Sequence, residues 1–262
     1  MQVLILGCGV VGVAAGQLMR SAGHRVVGIR RTPDGTDPGF PLLAGDAADP
    51  NLYSRIAPPD MVLCAANPGV RRGRDNGLLT SARLLVAAFP QARVVYTGTT
   101  SLYADAAGRL VDEQAMIAAT PEAQALLSIE QPFMGHGNAL VLRATALVGP
   151  TRTFARERLR AAHGGELLIK GDLDRPFSWL HEDDLASLCV LALTGELGCG
   201  VLNAAAPHTI EPTTVRGYYT ALSTDLGVQV TLRADDSTQP SRVIDARRLH
   251  RMVPDFYWHG IL

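Results

Sequence analysis

The first half of the chain alternates short apolar runs with longer segments in which apolar residues recur every three or four positions. The apolar runs predict strands at 3–6, 26–29, 42–44, 61–66, 93–97 and 139–143. The longer spacing predicts helices at 10–22, 78–89 and 121–134. Because the strands are apolar without alternation, both of their faces must be covered, which indicates a parallel sheet with helices on either side.

Beyond residue 150 the order of elements changes. The pattern predicts a helix at 152–162, a short strand pair near 166–180, a helix at 183–194, a strand at 200–204 and a helix at 212–226. No linker rich in glycine or proline separates the two halves. We therefore expect an α/β fold, with a Rossmann doubly wound parallel sheet over 1–150 and a small C-terminal lobe over 151–262 that is interleaved with it.

Composition and charge exclude several classes of protein. The chain has 262 residues and a formal net charge of −1, which argues against an extended nucleic-acid surface. No stretch approaches the roughly 20 apolar residues that span a bilayer. Residues 1–6 are too short for a signal peptide and carry no basic residue. The four cysteines and seven histidines show no metal-ligand spacing, so we expect a cytoplasmic protein without a bound metal.

The segment Gly7-Cys8-Gly9-Val10-Val11-Gly12 joins the first strand to the first helix. Gly-x-Gly-x-x-Gly in this position is typical of a dinucleotide site. Gly7 permits the tight turn, Gly9 lets a pyrophosphate approach the backbone, and Gly12 lets helix and strand pack closely. The N–H groups that open the helix, at Val10 and Val11, offer donors and the positive end of the helix dipole to the phosphates. The alternative is a strand–helix turn with incidental glycines.

The end of the second strand distinguishes NAD from NADP. A site for NAD usually has a carboxylate here, which accepts a hydrogen bond from the ribose 2′-hydroxyl. This chain instead has Arg30 and Arg31, with no acid before Asp34. Guanidinium groups suit a 2′-phosphate, so the sequence favours NADP over NAD. The alternative is a solvated pair of arginines at a strand end.

Two later strand ends complete the predicted cofactor site. Asp46 follows the third strand and could accept from the adenine amino group, with the N-cap of a helix as its alternative role. Ala65, Ala66 and Asn67 follow or end the fourth strand, where small residues let a ribose lie close to the backbone. The carboxyl ends of parallel strands are where such ligands bind.

Several segments resemble the extended short-chain dehydrogenase/reductases, the family of NAD(P)-dependent nucleotide-sugar epimerases and dehydratases. Beside the glycine loop, the resemblance is carried by 97–103 (Thr-Gly-Thr-Thr-Ser-Leu-Tyr), 111–113 (Val-Asp-Glu), 142–150 (Leu-Arg-Ala-Thr-Ala-Leu-Val-Gly-Pro), 181–186 (His-Glu-Asp-Asp-Leu-Ala) and 201–203 (Val-Leu-Asn). It covers most of the chain. It implies that the region over 151–262 binds the substrate and that Thr99 takes the Ser/Thr position that orients the substrate in this family.

The chain departs from this family at the catalytic pair. The resemblance implies Tyr-x-x-x-Lys on the helix at 121–134, where the lysine lowers the tyrosine pKa for proton transfer. That helix contains neither residue type, and Lys170 is the only lysine of the chain. Aligned on Glu130, the tyrosine position falls near Glu122 and the lysine position near Leu126. The resemblance therefore implies an atypical member with a divergent active site.

Other residues are candidates for the missing catalytic chemistry. Tyr103, on the loop expected to line the nicotinamide, and Glu122 are candidate proton donors. Their alternatives are a packing aromatic for Tyr103 and, for Glu122, a first-turn carboxylate that complements the helix dipole. Thr99 and Ser101 could hydrogen-bond a substrate carbonyl without ionising.

Two basic segments are candidates for binding a substrate carboxylate or phosphate. One is the loop that contains Arg71, Arg72 and Arg74, of which we select Arg72. The other contains Arg152 and Arg156, which lie where extended members of the family hold their substrate, and of these two we select Arg152. The alternative is a set of solvated surface arginines.

The leading functional interpretation is an NADPH-dependent reductase of a small carbonyl or imine. A protonated imine is already electrophilic, so the missing tyrosine and lysine matter less for it. The alternatives are a non-catalytic NADP-binding sensor or scaffold, and a nucleotide-sugar-type epimerase or dehydratase with a relocated base. The helices at 78–89 and 121–134 are apolar on more than one face, and extended members often dimerise through them, so a homodimer is a further hypothesis.

Overall fold

The chain forms two compact units. The computed structural model describes residues 1–32, 35, 37–70, 73 and 75–262. The first unit comprises Met1–Leu102, Ile117–Arg143 and Leu185–Leu202, and the second comprises Tyr103–Met116, Ala144–Asp184 and Asn203–Leu262. The chain therefore passes between the units several times. The division into a Rossmann domain over 1–150 and an interleaved substrate lobe over 151–262 stays a prediction.

The centre of the first unit is a seven-stranded parallel sheet. Its strands are β1 (Gln2–Leu6), β2 (Arg25–Arg30), β3 (Leu42–Ala44), β4 (Met61–Cys64), β5 (Arg93–Thr99), β7 (Ala139–Ala144) and β11 (Gly200–Ala204). The strand order is β11-β7-β5-β4-β1-β2-β3, which confirms the predicted α/β fold with a Rossmann sheet. β1 pairs with β2 on one side and with β4 on the other, so the direction of chain winding reverses there. A crevice is expected at the carboxyl ends of these two strands.

Helices predicted from the apolar spacing are present beside this sheet. They are α1 (Val10–Ser21), α3 (Leu78–Ala88), α4 (Pro121–Met134) and α6 (Glu182–Leu193), and the short α2 (Pro50–Tyr53) adds a turn that the spacing did not predict. Local chemistry sets where they start. The Thr120 hydroxyl accepts from the N–H of Ala123 with Pro121 at the first helical position, so α4 begins there.

A buried ion pair joins α4 to the sheet. Glu130 and Arg143 have side chains that are 1% and 4% exposed, and Arg143 Nη2 lies 2.8 Å from Glu130 Oε2. Arg143 Nε donates to the same oxygen at 3.0 Å, so two nitrogens of the guanidinium bind one carboxylate. Gly98 of β5 makes room for it, because a Cβ there would lie 2.7 Å from Glu130 Oε1. The glycine of the Thr-Gly-Thr segment is thus explained by packing.

The second unit contains three two-stranded sheets, each of them parallel. Its strands are β6 (Leu110–Val111), β8 (Ala146–Val148), β9 (Glu166–Ile169), β10 (Trp179–His181), β12 (Thr231–Ala234) and β13 (Val243–Ile244), and its helices are α5 (Thr153–Ala161), α7 (Val215–Leu226) and α8 (Arg247–Met252). Two strands lie where the strand pair near 166–180 was predicted, but they do not pair with each other. β9 pairs with β12 and β10 pairs with β8, because the partners come from distant parts of the chain that local periodicity does not reveal.

Within the part of the chain that the structure describes, no helix has both the length and the apolar character to span a bilayer.

The ion pair gives a test of the fold. Replacing Glu130 with alanine removes the carboxylate that compensates the buried Arg143 guanidinium, which costs about 3–5 kcal/mol of unfolding free energy. Glu122→Ala on the same helix is the matched control, since Glu122 is exposed, and it should cost at most about 1 kcal/mol. Urea unfolding followed by circular dichroism measures both. Equal losses for the two variants would mean that the pair does not stabilise the sheet unit.

Candidate functional site

A cavity of about 410 Å³ lies at the carboxyl ends of β1 to β4 in the first unit. Each strand contributes the residues that follow it, so the cavity occupies the point where chain winding reverses. Its walls bring together the predicted cofactor residues Gly7, Gly9, Arg30, Arg31, Asp46, Ala65, Ala66 and Asn67. Val10, Val11 and Gly12 continue from the glycine loop into α1 and do not line the cavity. This is the position in which a parallel sheet binds a dinucleotide.

The three loop glycines serve different purposes. Gly7 has φ of +91°, and a Cβ there would lie 2.4 Å from the nitrogen of Ala66. A Cβ on Gly12 would lie 2.3 Å from the Gly7 carbonyl oxygen. The protein itself therefore requires both glycines. A Cβ on Gly9 would meet nothing within 4 Å, so its missing side chain leaves open space at the cavity wall.

The start of α1 suits an anion at this open space. Gly9 is the N-cap residue of the helix, and because it has no side chain it cannot accept a hydrogen bond from the first N–H groups of the helix. The first N–H groups of a helix have no partner inside it, and they carry the positive end of its dipole. A pyrophosphate beside Gly9 would satisfy these donors, so the residues present fit the cofactor predicted from the sequence.

Cys8 is a packing residue of the same loop. Its sulfur packs against Gly28, since a Cβ on Gly28 would lie only 2.4 Å from the Cys8 Sγ. Burial raises the pKa of the Cys8 thiol to about 11, so the group stays protonated and neutral near pH 7. No negative charge from this cysteine then opposes a phosphate in the cavity.

The wall at the end of β2 is basic. Arg30 is half-buried, Arg31 and Thr32 are exposed, and all three line the cavity. Asp34, the first acid after them, lies outside the described residues. The Asp46 carboxylate accepts from the N–H of Ala48 at 3.0 Å, while Asp49 is the residue that caps α2. The N-cap alternative for Asp46 therefore does not apply to α2.

Further lining residues were not predicted from the sequence. They are Thr32, Gly45, Ala47, Asn76, Leu78 and Ser81, together with Leu6, Cys8 and Ile29. Asn76 donates to the carbonyl of Asn67 at 3.0 Å, which ties the start of α3 to the end of β4. Thr32 and Ala47 could have been predicted as lining residues, because each directly follows a residue that the sequence placed at a strand end. Asn76 and Ser81 could not, because nothing local marks a helix start as a cavity wall.

Thr99 and Ser101 lie together at the end of β5. The Thr99 hydroxyl is 3.1 Å from the Ser101 hydroxyl and also accepts from the Ser101 N–H at 3.2 Å. Both residues are half-buried. Such a hydroxyl pair can orient a substrate oxygen by hydrogen bonding, and it changes no charge in doing so.

The two predicted proton donors lie in contrasting environments. Tyr103, in the second unit, is 1% exposed, and its hydroxyl donates to Asn203 Oδ1 at 2.7 Å. This burial favours the packing alternative for Tyr103. Glu122 is exposed in the first turn of α4. The catalytic role of each residue stays a prediction.

The two predicted substrate arginines are placed differently. Arg72 lies outside the described residues, as do Arg71 and Arg74. Arg152 immediately precedes α5 in the second unit, and its Nε lies 2.9 Å from Glu182 Oε2. Among the described residues no group of histidine, cysteine and acidic side chains could hold a metal ion.

Comparison with known proteins identifies the family. The model of the NAD dependent epimerase/dehydratase family matches residues 3–203. The chain belongs to this family. The match confirms the resemblance drawn from the sequence motifs and makes this an NAD(P)-dependent family member. A comparison with curated proteins gave no match.

Several solved structures share the fold over nearly the whole chain. WbmH of Bordetella bronchiseptica, solved with NAD+, is 20% identical with a TM-score of 0.79, and the match covers 99% of this chain and 94% of that one. MoeE5, solved with UDP-glucose and NAD, is 21% identical with a TM-score of 0.79 and coverage of 100% and 95%. The UDP-N-acetylglucosamine 4-epimerase of Bacillus cereus is 16% identical with a TM-score of 0.78 and coverage of 100% and 95%. At these identities the likeness establishes the fold.

The loop glycines allow folding and cofactor binding to be separated. Gly9→Ala places a methyl group in open space at the cavity wall, so it should change unfolding free energy by less than about 1 kcal/mol. It should weaken NADPH binding about tenfold or more, because the methyl group occupies the approach to the backbone. Fluorescence titration and urea unfolding measure the two effects.

Gly12→Ala is the matched comparison, since its methyl group meets the Gly7 carbonyl oxygen. It should lower unfolding free energy by about 1–3 kcal/mol through overpacking. Unchanged NADPH affinity in Gly9→Ala would place the pyrophosphate elsewhere.

Proposed function

We propose that this chain is an NADP-dependent enzyme that acts on a nucleotide sugar as an epimerase or a dehydratase. The observation that carries the proposal is the cavity at the reversal point of the sheet, with open space at Gly9 and a basic wall at Arg30 and Arg31. Family membership supports the reaction type. Two similar folds, those of MoeE5 and the Bacillus cereus enzyme, are named for UDP-sugar ligands or substrates.

This order of alternatives differs from the one that the sequence suggested. A reductase of a small carbonyl or imine was the leading interpretation, and the epimerase or dehydratase was an alternative. The family match and the structural neighbours support the alternative better. One observation still favours a non-catalytic sensor or scaffold: α4 contains neither tyrosine nor lysine.

The choice of NADP rests on this chain's own residues, since WbmH and MoeE5 were solved with NAD. We propose that Arg31, with Arg30 and the Thr32 hydroxyl, binds a 2′-phosphate at the end of β2. An exposed guanidinium can supply parallel N–H donors to a phosphate without a costly desolvation. In this proposal the neighbouring Asp46 accepts a hydrogen bond from the adenine amino group. The second ribose lies against Ala65, Ala66 and Asn67.

The proposed chemistry divides between cofactor and protein. A bound nicotinamide supplies the acceptor and donor of a hydride. We propose that the hydroxyls of Thr99 and Ser101 hold the sugar oxygen whose carbon is oxidised. Glu122 replaces the missing tyrosine as the proton carrier in this proposal, because it is exposed while the Tyr103 hydroxyl is enclosed. The homodimer and the cytoplasmic location stay predictions.

Cofactor choice is tested at one arginine. Arg31→Ser should raise the Kd for NADPH about tenfold or more and leave that for NADH unchanged, because only NADPH has the phosphate. Arg25→Ser is the matched control, since Arg25 is an exposed arginine at the other end of the same strand. Intrinsic fluorescence titration of the unaltered protein and of both variants gives the Kd for each cofactor. Equal affinity of the unaltered protein for NADH and NADPH would contradict the assignment.

The reaction is tested with UDP-glucose, UDP-N-acetylglucosamine and dTDP-glucose in the presence of NADP+ or NAD+. NMR should show an epimer or a product that has lost water, without net formation of NADPH or NADH. Thr99→Val should lower kcat about a hundredfold, since it removes a donor to the reacting oxygen. Ser128→Ala, which removes an exposed hydroxyl on α4, should leave kcat unchanged.

Two outcomes would overturn the proposed reaction. Tight cofactor binding without turnover of any nucleotide sugar would favour the non-catalytic protein. Net consumption of NADPH with carbonyl or imine substrates alone would restore the reductase.

A further inference from the structure

A second cavity, of about 730 Å³, lies at the amino ends of the strands in the first unit. Its walls include His24, Asp60 and Asn138, which directly precede β2, β4 and β7, and Arg93, the first residue of β5. In a parallel sheet the amino ends of the strands share one edge and the carboxyl ends share the other. This cavity is therefore at the opposite edge of the sheet from the cavity at Gly9.

Arg93 is a buried cation in the wall of this cavity. The residue is 8% exposed, and its Nε donates to the carbonyl of Ala192 at 2.9 Å. Its Nη1 lies 3.3 Å from Asn138 Oδ1 and 2.9 Å from Cys199 Sγ, and its Nη2 donates to the carbonyl of Gly198. None of these four acceptors is a carboxylate, and within the described chain Arg93 forms no ion pair.

The charge of Arg93 is only partly offset by the protein. A buried cation normally has an anionic partner, because water no longer solvates its charge. Ala192 lies in the last turn of α6, whose dipole supplies a partial negative charge. The carboxylate of Asp60, the acidic residue of the described wall, instead accepts from the N–H of Gln2 at 2.7 Å. An anionic ligand in the cavity would complete the compensation.

His24 adds an independent observation. Its Nδ1 is buried and has no hydrogen-bond partner among the described residues, and the residue lines the same cavity. Buried polar atoms nearly always have a partner, so this nitrogen is available to a ligand. An imidazole N–H can donate to a carboxylate oxygen. The unpartnered nitrogen and the incompletely compensated cation therefore indicate the same kind of ligand.

Much of the remaining wall is apolar. It includes Pro58, Pro59, Met61 and Leu193. Apolar walls with a small number of polar groups are typical of sites for small organic molecules. Such walls would gain nothing from an inorganic ion, since burial of apolar surface requires an apolar body on the ligand.

We propose that this cavity binds an organic carboxylate with an apolar body. Arg93 and His24 bind the carboxylate, and the wall of Pro58, Pro59, Met61 and Leu193 contacts the body. One guanidinium balances one negative charge, which a carboxylate carries, whereas a phosphate monoester carries about 1.5 to 2. The ligand does not compete with the cofactor, because the two cavities lie at opposite edges of the sheet.

The test measures binding to the full chain by isothermal titration calorimetry. The probes are 2-naphthoate and octanoate. Their amides, 2-naphthamide and octanamide, keep the apolar body without the charge, and acetate keeps the charge without the body. The unaltered protein should bind each of the two carboxylate probes about tenfold or more tightly than its amide or acetate, because only these probes satisfy both parts of the site.

Gln91 allows the charge of the wall to be changed without disturbing the fold. It is an exposed lining residue whose side chain makes no hydrogen bond within the described chain. Gln91→Glu should weaken the binding of 2-naphthoate and Gln91→Lys should strengthen it, each about threefold or more. The same changes at Gln131, which is exposed on α4 and does not line the cavity, are the matched controls and should leave the Kd unchanged.

Arg93→Gln tests the proposed carboxylate partner directly. It should weaken the binding of 2-naphthoate about tenfold or more and leave that of 2-naphthamide nearly unchanged. Since Arg93 also binds the carbonyls of Ala192 and Gly198, urea unfolding accompanies this variant. If it does not fold, the two Gln91 variants decide the question.

Three results would overturn the proposal. The first is that neither carboxylate binds more tightly than its amide. The second is that Gln91→Glu and Gln91→Lys fail to change the Kd in opposite directions. The third is that NADPH or NADH displaces 2-naphthoate, which would place the probe in the cofactor cavity.

Discussion

The close approach of α1 to β1 is the constraint on which the cofactor site depends. A side chain at Gly12 would lie 2.3 Å from the Gly7 carbonyl oxygen, so helix and strand can meet at this distance only through glycine. That approach fixes the direction of α1 at the point where β1 separates β2 from β4. The helix start and the ends of these strands consequently face one cavity. A phosphate bound there would meet oriented N–H groups, which need no rearrangement to receive it.

Two buried carboxylates, one in each unit, contact arginines that differ in their exposure. Glu130 is contacted by an arginine that is itself buried, so the pair is satisfied within the sheet unit. Glu182 contacts an arginine that remains partly exposed. In both cases a carboxylate that lost water needs a cation nearby. The difference lies in the outer edge of the arginine, which is enclosed at Arg143 and reaches solvent at Arg152.

The hydroxyl groups of the first unit suggest how a family member lacking the tyrosine and lysine pair can still orient a substrate. Thr99 and Ser101 hydrogen-bond each other at the end of β5, which keeps both oxygens at defined positions. Orientation and proton transfer are separate tasks, and the proposed function gives them to different residues. Tyr103 is enclosed by packing and by its bond to Asn203, which leaves the exposed Glu122 as the proposed proton carrier.

The sequence by itself determined the alternation of apolar strands and helices, the glycine loop and the basic end of β2. These depend on near neighbours along the chain, since periodicity and turn chemistry are local. Tertiary structure alone decided that β9 pairs with β12, that Asn76 and Ser81 line the cavity, and that Glu182 reaches Arg152. Those contacts join residues far apart in sequence. Their energies come from burial and packing that no local pattern encodes.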